Sequence, residues 1–224
     1  MQSHYGKIFA APLPLTHEAC QARHLFLSHV TSIVSAQQAH DLEVVFNESE
    51  LHAGLLNLGR WKTLGWDGLT VEFFLSFWEN LKFPLLTMMN MAWDQQQLPS
   101  SWKEGLFKLI PKQALCEEFS HWRPITLMPV IYKLMAKMIV NRLKSFLHNG
   151  LHQSQYGFIP RRQIIDNLAN VLIGMEYAKY TQQDVLVMQV DIEKAFDTVL
   201  WDYIADTMKH LGFGPKLSNV VFFL

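Results

Sequence analysis

Val185-Leu186-Val187-Met188-Gln189-Val190-Asp191-Ile192-Glu193-Lys194-Ala195-Phe196-Asp197 is the stretch on which the fold turns. Its first eight residues are mostly apolar and rich in β-branched side chains, which predicts a strand covered on both faces with Asp191 at its C-terminal end. A carboxylate placed there can hold a divalent ion in a cleft, because Mg²⁺ takes one or two carboxylates together with phosphate oxygens and water. Two such ions can clamp the attacking and leaving oxygens of a phosphoryl transfer. On the residues alone, Asp191 equally reads as the plain end of a strand. Asp197 reads as the N-cap of the next helix rather than as a ligand. That helix presents Leu200, Tyr203 or Ile204, Met208 and Leu211 inward, stops at Gly212, and is followed by another opened by Pro215.

Upstream, Ile164 to Tyr180 is helical in period, and Gln155 to Arg162 is a loop with two adjacent arginines, Arg161 and Arg162. Pro129 to His148 gives the clearest helix. Lys133, Lys137 and Lys144 fall within about 40° of one another on its helical wheel, while Ile131, Met135, Met138, Ile139 and Arg142 face the other way. Asn149-Gly150 closes it. Gly105–Pro111 and Arg123–Leu127 form a hairpin around the polar loop Lys112–Trp122, long for a hairpin and so a candidate functional loop. Further back, Leu98 to Trp102 is a turn. Residues 14–38 form a helix, and Asn47 with Glu50 makes a near capping box ahead of Leu51, Leu55, Leu56 and Leu58. The Gly65-Trp66-Asp67-Gly68 turn follows. Thr70 caps a helix whose stripe of Phe73, Phe74, Phe77, Trp78 and Leu81 is read as core, and Pro84 starts another helix that runs to Trp93.

Half of the 224 residues are hydrophobic and 17% are charged, enough to bury a sizeable core and too apolar for a disordered tail. The formal net charge is -1, so nucleic-acid binding would have to come from local basic patches such as Lys108, Lys112, Arg123, Arg161 and Arg162. Arginine is the better of the two cations for bidentate phosphate contacts. Two cysteines far apart, Cys20 and Cys116, give neither a zinc spacing nor a disulfide framework. The N-terminus lacks the basic-then-apolar order of a signal peptide, and no run has the length of a membrane span. An intracellular location, nucleus or cytoplasm, with no membrane partner is therefore expected. The final Asn219-Val220-Val221-Phe222-Phe223-Leu224 is apolar to the end, which predicts an exposed apolar patch at Val220–Leu224.

Taken in order, several segments resemble the reverse transcriptases of non-LTR (LINE-type) retrotransposons. Lys62-Thr63-Leu64-Gly65-Trp66-Asp67-Gly68-Leu69-Thr70-Val71-Glu72-Phe73 resembles their K-x-P-G-x-D-G-L-x-x-E-F segment, with Leu64 in place of proline. Leu98-Pro99 with Trp102, Leu109-Ile110-Pro111-Lys112, and Trp122-Arg123-Pro124-Ile125-Thr126-Leu127 followed by Tyr132-Lys133, Ala136-Lys137 and Asn141-Arg142-Leu143 resemble the next blocks. Gln155 to Arg162 resembles Q-x-G-F-x-P-G-R with Arg161 in place of glycine, and Asp191 to Asp197 resembles D-x-x-K-A-F-D.

The resemblance implies a helix-rich α+β fold, the fingers and the first part of the palm of a right-hand polymerase. Residues 1–44 would be an N-terminal helical extension and 45–97 a helical region leading into the fingers. Residues 98–224 would be the reverse transcriptase domain, incomplete at its C-terminus, with Val185–Ile192 as the first palm strand. It implies that Asp191 is the catalytic metal-binding aspartate, aided by the backbone carbonyl of Ile192. Lys112 and Arg123 would grip the triphosphate, and Phe196 would lie under the incoming sugar. Arg161, Arg162, Lys133 and Lys137 are the expected nucleic-acid contacts. The implied cofactor is Mg²⁺ or Mn²⁺, and the implied partners are an RNA template, a DNA primer and deoxynucleotide triphosphates. The family's later Asp-Asp block is expected beyond Leu224, since no Asp-Asp pair occurs in the sequence. The expected function is thus a fragment of an RNA-directed DNA polymerase, inactive by itself. The alternatives are an inactive retroelement remnant that binds nucleic acid and a helical interaction module.

Overall fold

The computed structural model describes residues 16–112, 115, 118–159, 161–192 and 195–224; of Ser120, Ser145, residues 147–150, Phe196 and Asp197 it describes the backbone. The chain divides into two compact units, Met1–Val140 with Asp197–Leu224, and Asn141–Phe196.

In the first unit, the stretch expected as one helix over 14–38 is two, α1 (His17–Ser28) and α2 (Ala36–Glu43). The break has a visible cause. The backbone N–H groups of Ile33 and Val34 both donate to the carbonyl of Leu211 at 3.0 Å, and Ser35 opens a new capping box with Gln38. A segment whose N–H groups serve a distant carbonyl cannot also serve a helix. Helix α3 (Glu48–Leu56) has the capping box expected of Asn47 and Glu50, with the two reciprocal bonds at 2.9 and 3.0 Å. Thr70 caps α4 (Val71–Ser76) through the Phe73 N–H at 3.0 Å.

The next boundary falls at Phe77 and not at Pro84. Helix α5 (Trp78–Gln95) carries Pro84 inside it. Proline removes one rung there, and the buried face of Leu85, Met89, Ala92 and Trp93 holds the helix across the gap. The aromatic stripe is core only in part. Phe74 is buried, whereas Phe73 and Phe77 lie partly in solvent with their rings 5.1 Å apart.

Trp93 is the centre of this unit. It is fully buried, with Phe46 at 5.3 Å and Phe223 at 6.1 Å between ring centroids, and its indole N–H donates to the Glu43 carbonyl at 3.1 Å. The C-terminal segment closes over it. Ala195–Thr198 (α9) is a single turn, and Trp201–His210 (α10) follows. Pro215–Ser218 (α11) and Val220–Phe223 (α12) complete the segment. The Glu43 carboxylate accepts the Leu217 N–H at 2.8 Å, the Tyr132 hydroxyl donates to the Leu224 carbonyl at 3.1 Å, and Val220 and Phe223 are buried. The exposed patch expected at Val220–Leu224 is therefore not there, because Phe223 packs on Trp93 and Val220 is buried too; only Phe222 stands in solvent. The expected cap at Asp197 is also corrected. That residue lies within α9, and α10 begins after Leu200 with no side-chain cap.

Between these helices, α6 (Ser100–Lys103) replaces the expected turn and buries Trp102. The hairpin stands as read: β1 (Leu106–Pro111) pairs antiparallel with β2 (Trp122–Leu127), from Leu106 opposite Leu127 to Pro111 opposite Trp122. Among the described residues this is the one sheet, so the fold is helix-rich α+β. Helix α7 (Val130–Gly150) buries Val130, Leu134, Met135, Met138 and Ile139, and runs through Asn149-Gly150 instead of stopping before it. Gly65 packs against its start, where a Cβ would lie 2.7 Å from the N and Cα of Pro129. Glycine is needed there by close approach.

The second unit holds the end of α7, the loop that follows it, and α8 (Ile164–Thr181). The strand expected over Val185–Ile192 does not form. No described strand pairs with it, and Val185, Leu186, Val187, Met188, Val190 and Ile192 are all exposed. A strand is made by its neighbours, since its N–H and C=O groups need a ladder. Among the described residues no helix is long and apolar enough to cross a membrane.

Candidate functional site

The expected site residues fall into three groups. Two of them lie in the first unit. In the hairpin, antiparallel pairing puts directly opposed residues on one face. The pairs Lys108–Ile125 and Ile110–Arg123 belong to the same face, so Lys108 and Arg123 are diagonal neighbours there, and both are exposed. Lys112 sits one residue past β1, where its backbone N–H donates to the His121 carbonyl at 2.8 Å and continues the ladder. The hairpin thus groups three cations, two on one face and the third at the end of its strand. Facing charges of one sign repel one another, and an anion relieves that repulsion.

The second group is on α7. Lys133 and Lys137 lie one turn apart, both half-buried. Burial pushes the Lys133 ammonium below its ordinary range, and the nearby Asp67 carboxylate opposes the shift. Asp67 also accepts the Leu69 N–H at 3.3 Å within the Gly65–Gly68 turn, and Trp66 donates its indole N–H to the Ser101 carbonyl at 3.2 Å. Lys133 is therefore tied electrostatically to the glycine turn. The sequence held no sign of this pairing, because the two residues are far apart along the chain.

The third group is in the second unit. The Arg162 guanidinium donates to the backbone carbonyls of Leu151, His152 and Gln155 at 2.9, 2.5 and 2.8 Å. It pins the loop that follows α7. Its neighbour Arg161 is exposed at φ +65°, a left-handed conformation. Such a φ favours glycine. Asp191 is exposed in the irregular segment 183–192, with Ile192 beside it. Phe196 has its backbone in α9, and its side chain lies outside the described residues. A carboxylate and a backbone carbonyl are the hard oxygen donors that Mg²⁺ or Mn²⁺ takes. Among the described residues no group of three or more His, Cys, Asp or Glu side chains converges as a metal site. The donors fit the ion in kind, but Asp191, the one carboxylate among the described residues 185–192, is too few for a pair of ions.

A loop of arginines, a cationic hairpin and a lone aspartate after an apolar run define a class of protein once the chain is set beside known ones. The family described as reverse transcriptase (RNA-dependent DNA polymerase) matches residues 110–223, half of the chain, and the chain belongs to it. Within that family its relatives are products of non-LTR, LINE-type retroelements. It is 32% identical over 96% of its length to the Transposon TX1 uncharacterized 149 kDa protein of Xenopus laevis, covering 16% of that protein. It is 29% identical over 70% of its length to the Retrovirus-related Pol polyprotein from type-1 retrotransposable element R2 of Popillia japonica, covering 21% of that protein. It is 26% identical over 61% of its length to the RNA-directed DNA polymerase from mobile element jockey of Drosophila melanogaster, covering 15% of it. The chain therefore spans about a sixth to a fifth of the length of these relatives.

Proposed function

We propose that this chain supplies the nucleotide- and template-gripping part of an RNA-directed DNA polymerase. In this reading residues 98–180 act as fingers, and the segment around Asp191 is the start of a palm. The observation that carries the reading is the hairpin, which groups Lys112 and Arg123, inside the reverse transcriptase region, with Lys108 just ahead of it. Lys112 and Arg123 would hold the triphosphate of an incoming deoxynucleotide. Arg161, Lys133 and Lys137 would meet the backbone of an RNA template or DNA primer, with Arg162 fixing the loop that carries Arg161. Asp191 and the Ile192 carbonyl would contribute ligands to Mg²⁺ or Mn²⁺, which supplies charge neutralisation at the phosphates. Phe196 would contact the sugar. The place of action is intracellular, in nucleus or cytoplasm.

Titration of the chain with a fluorescent deoxynucleotide triphosphate tests this reading. Arg123→Ala is expected to weaken binding roughly ten- to hundred-fold, the loss of one charge-assisted contact of about 1.5–3 kcal/mol. Equal affinity of the variant and the parent would overturn the assignment of Arg123. With one carboxylate in the site, the chain is expected to extend no primer on an RNA template with Mg²⁺. Incorporation that disappears in Asp191→Asn would overturn that.

A further inference from the structure

We propose that Trp61, with Arg60 and Lys62 on either side of it, is a stacking site for an unpaired base of single-stranded nucleic acid. The inference rests on the reading of the domain as a nucleic-acid enzyme and adds a contact outside the residues assigned to that role. Three observations carry it.

The first is exposure. Trp61 is 87% exposed, although an isolated indole in water is unfavourable. The second is the backbone. Trp61 has φ +59°. A bulky residue in the left-handed region costs on the order of 1–2 kcal/mol and persists only where its surroundings hold it. The holding group is visible. The Glu72 carboxylate, at the start of α4, accepts the Trp61 N–H at 2.9 Å. Hydrogen bonds from the N–H groups of Glu72 itself and of Trp61 keep that carboxylate below its usual range, with the Arg60 charge as a smaller aid. The loop is fixed with its ring outward rather than folded onto the protein.

The third observation is charge. Arg60 and Lys62 flank Trp61 in the chain and are exposed with it. The Lys62 stem passes close to Gly59, where a Cβ would sit 3.4 Å from its Cε. Glu72 offsets part of this charge, and its oxygen is engaged by the loop backbone. An aromatic face between two cations matches a base between two phosphates: the base stacks on the ring, and the backbone on each side meets an ammonium or guanidinium. An apolar protein partner would gain nothing from the flanking cations.

The test uses the whole chain and a fluorescein-labelled oligothymidylate, read by anisotropy over a salt series. Trp61→Gly removes the ring and relieves the left-handed strain, so its melting temperature should rise while its affinity falls roughly ten-fold or more, the usual loss for one stacked base. Trp61→Phe keeps a ring and should retain most of the affinity. Replacing Arg60 and Lys62 together by alanine should lower the salt slope by about 1.4, two phosphate contacts on a single strand. Equal binding by the parent and Trp61→Gly would overturn the stacking site and leave the polymerase reading standing. Failure of every form, parent included, to bind the oligonucleotide at low salt would overturn both. Loss of binding in Trp61→Gly with a lowered melting temperature would point to unfolding, and Trp61→Asn, which tolerates the same φ, then decides: parent-like affinity in a folded Trp61→Asn overturns the proposal, and weakened binding supports it.

Discussion

The two units obey different packing rules although one helix, α7, runs through both. In the first, apolar side chains find one another across long stretches of chain: Phe46, Trp93 and Phe223 meet, and Val34, Leu51, Leu55, Met89 and Leu134 are buried with them. In the second, the large apolar side chains of α8 and of 185–192 face solvent, among them Ile164, Leu168, Leu172, Tyr180 and Leu186. The sequences are equally hydrophobic to the eye. What differs is whether, among the described residues, a second surface receives them. Hydrophobicity states that a segment gains by burial; only topology states whether burial occurs.

The largest test of this difference is at Trp93. Trp93→Ala removes the ring between Phe46 and Phe223 and the bond to the Glu43 carbonyl. Truncation of such a buried aromatic costs about 3–5 kcal/mol. Urea denaturation followed by far-UV circular dichroism should show the midpoint fall by that equivalent or the unit fail to fold. A loss under about 1 kcal/mol would mean that the first unit is not centred on this residue, since that is the scale of an ordinary substitution.

How much of this could be read from the chain follows the same line. Local devices were legible. Asn47 and Glu50 announce a capping box, Thr70 a cap, and the two short runs 105–111 and 123–127 around a polar loop a hairpin, because each depends on residues near one another in the chain. Features that depend on a distant partner were not. The 14–38 helix breaks because Ile33 and Val34 bond to Leu211; Phe223 is buried because it meets Trp93; Val185–Ile192 fails as a strand because no described strand pairs with it. Pro84 is the converse case, a local breaker overruled by tertiary packing along α5. The cationic hairpin was legible because β-pairing fixes its face. The tie between Lys133 and Asp67 was not, nor was the left-handed backbone of Trp61, whose partner Glu72 lies eleven residues on.

The middle prediction concerns strain in the second unit. Arg161 holds φ +65° in the loop pinned by Arg162. Arg161 stands where the motif that the chain resembles has glycine, the residue that a left-handed φ favours. Arg161→Gly should stabilise the loop by about 1 kcal/mol, seen as slower amide exchange over residues 151–163. It should also lower the salt slope of single-strand binding by about 0.7, one phosphate contact. Unchanged exchange would show that the arginine pays no conformational cost there.

The smallest expected effect is at Leu172, on α8, and it bears most directly on the contrast between the units. Leu172 is 56% exposed. Leucine and glutamine have similar helix propensities, so Leu172→Gln isolates the value of burial from that of the helix. If the side chain stands in water, the change in stability should stay within about 0.5 kcal/mol, as for other surface substitutions, and binding of an apolar dye should fall because the exposed face has shrunk. The same substitution at Leu134, which is fully buried on α7, should cost several times more. A cost at Leu172 of about 2–5 kcal/mol, the range of a core leucine, would sink the contrast. It would mean that α8 is covered in solution. A denaturation midpoint that rises with protein concentration would then identify the cover as a second copy of the chain, since association stabilises by mass action and packing within one chain does not.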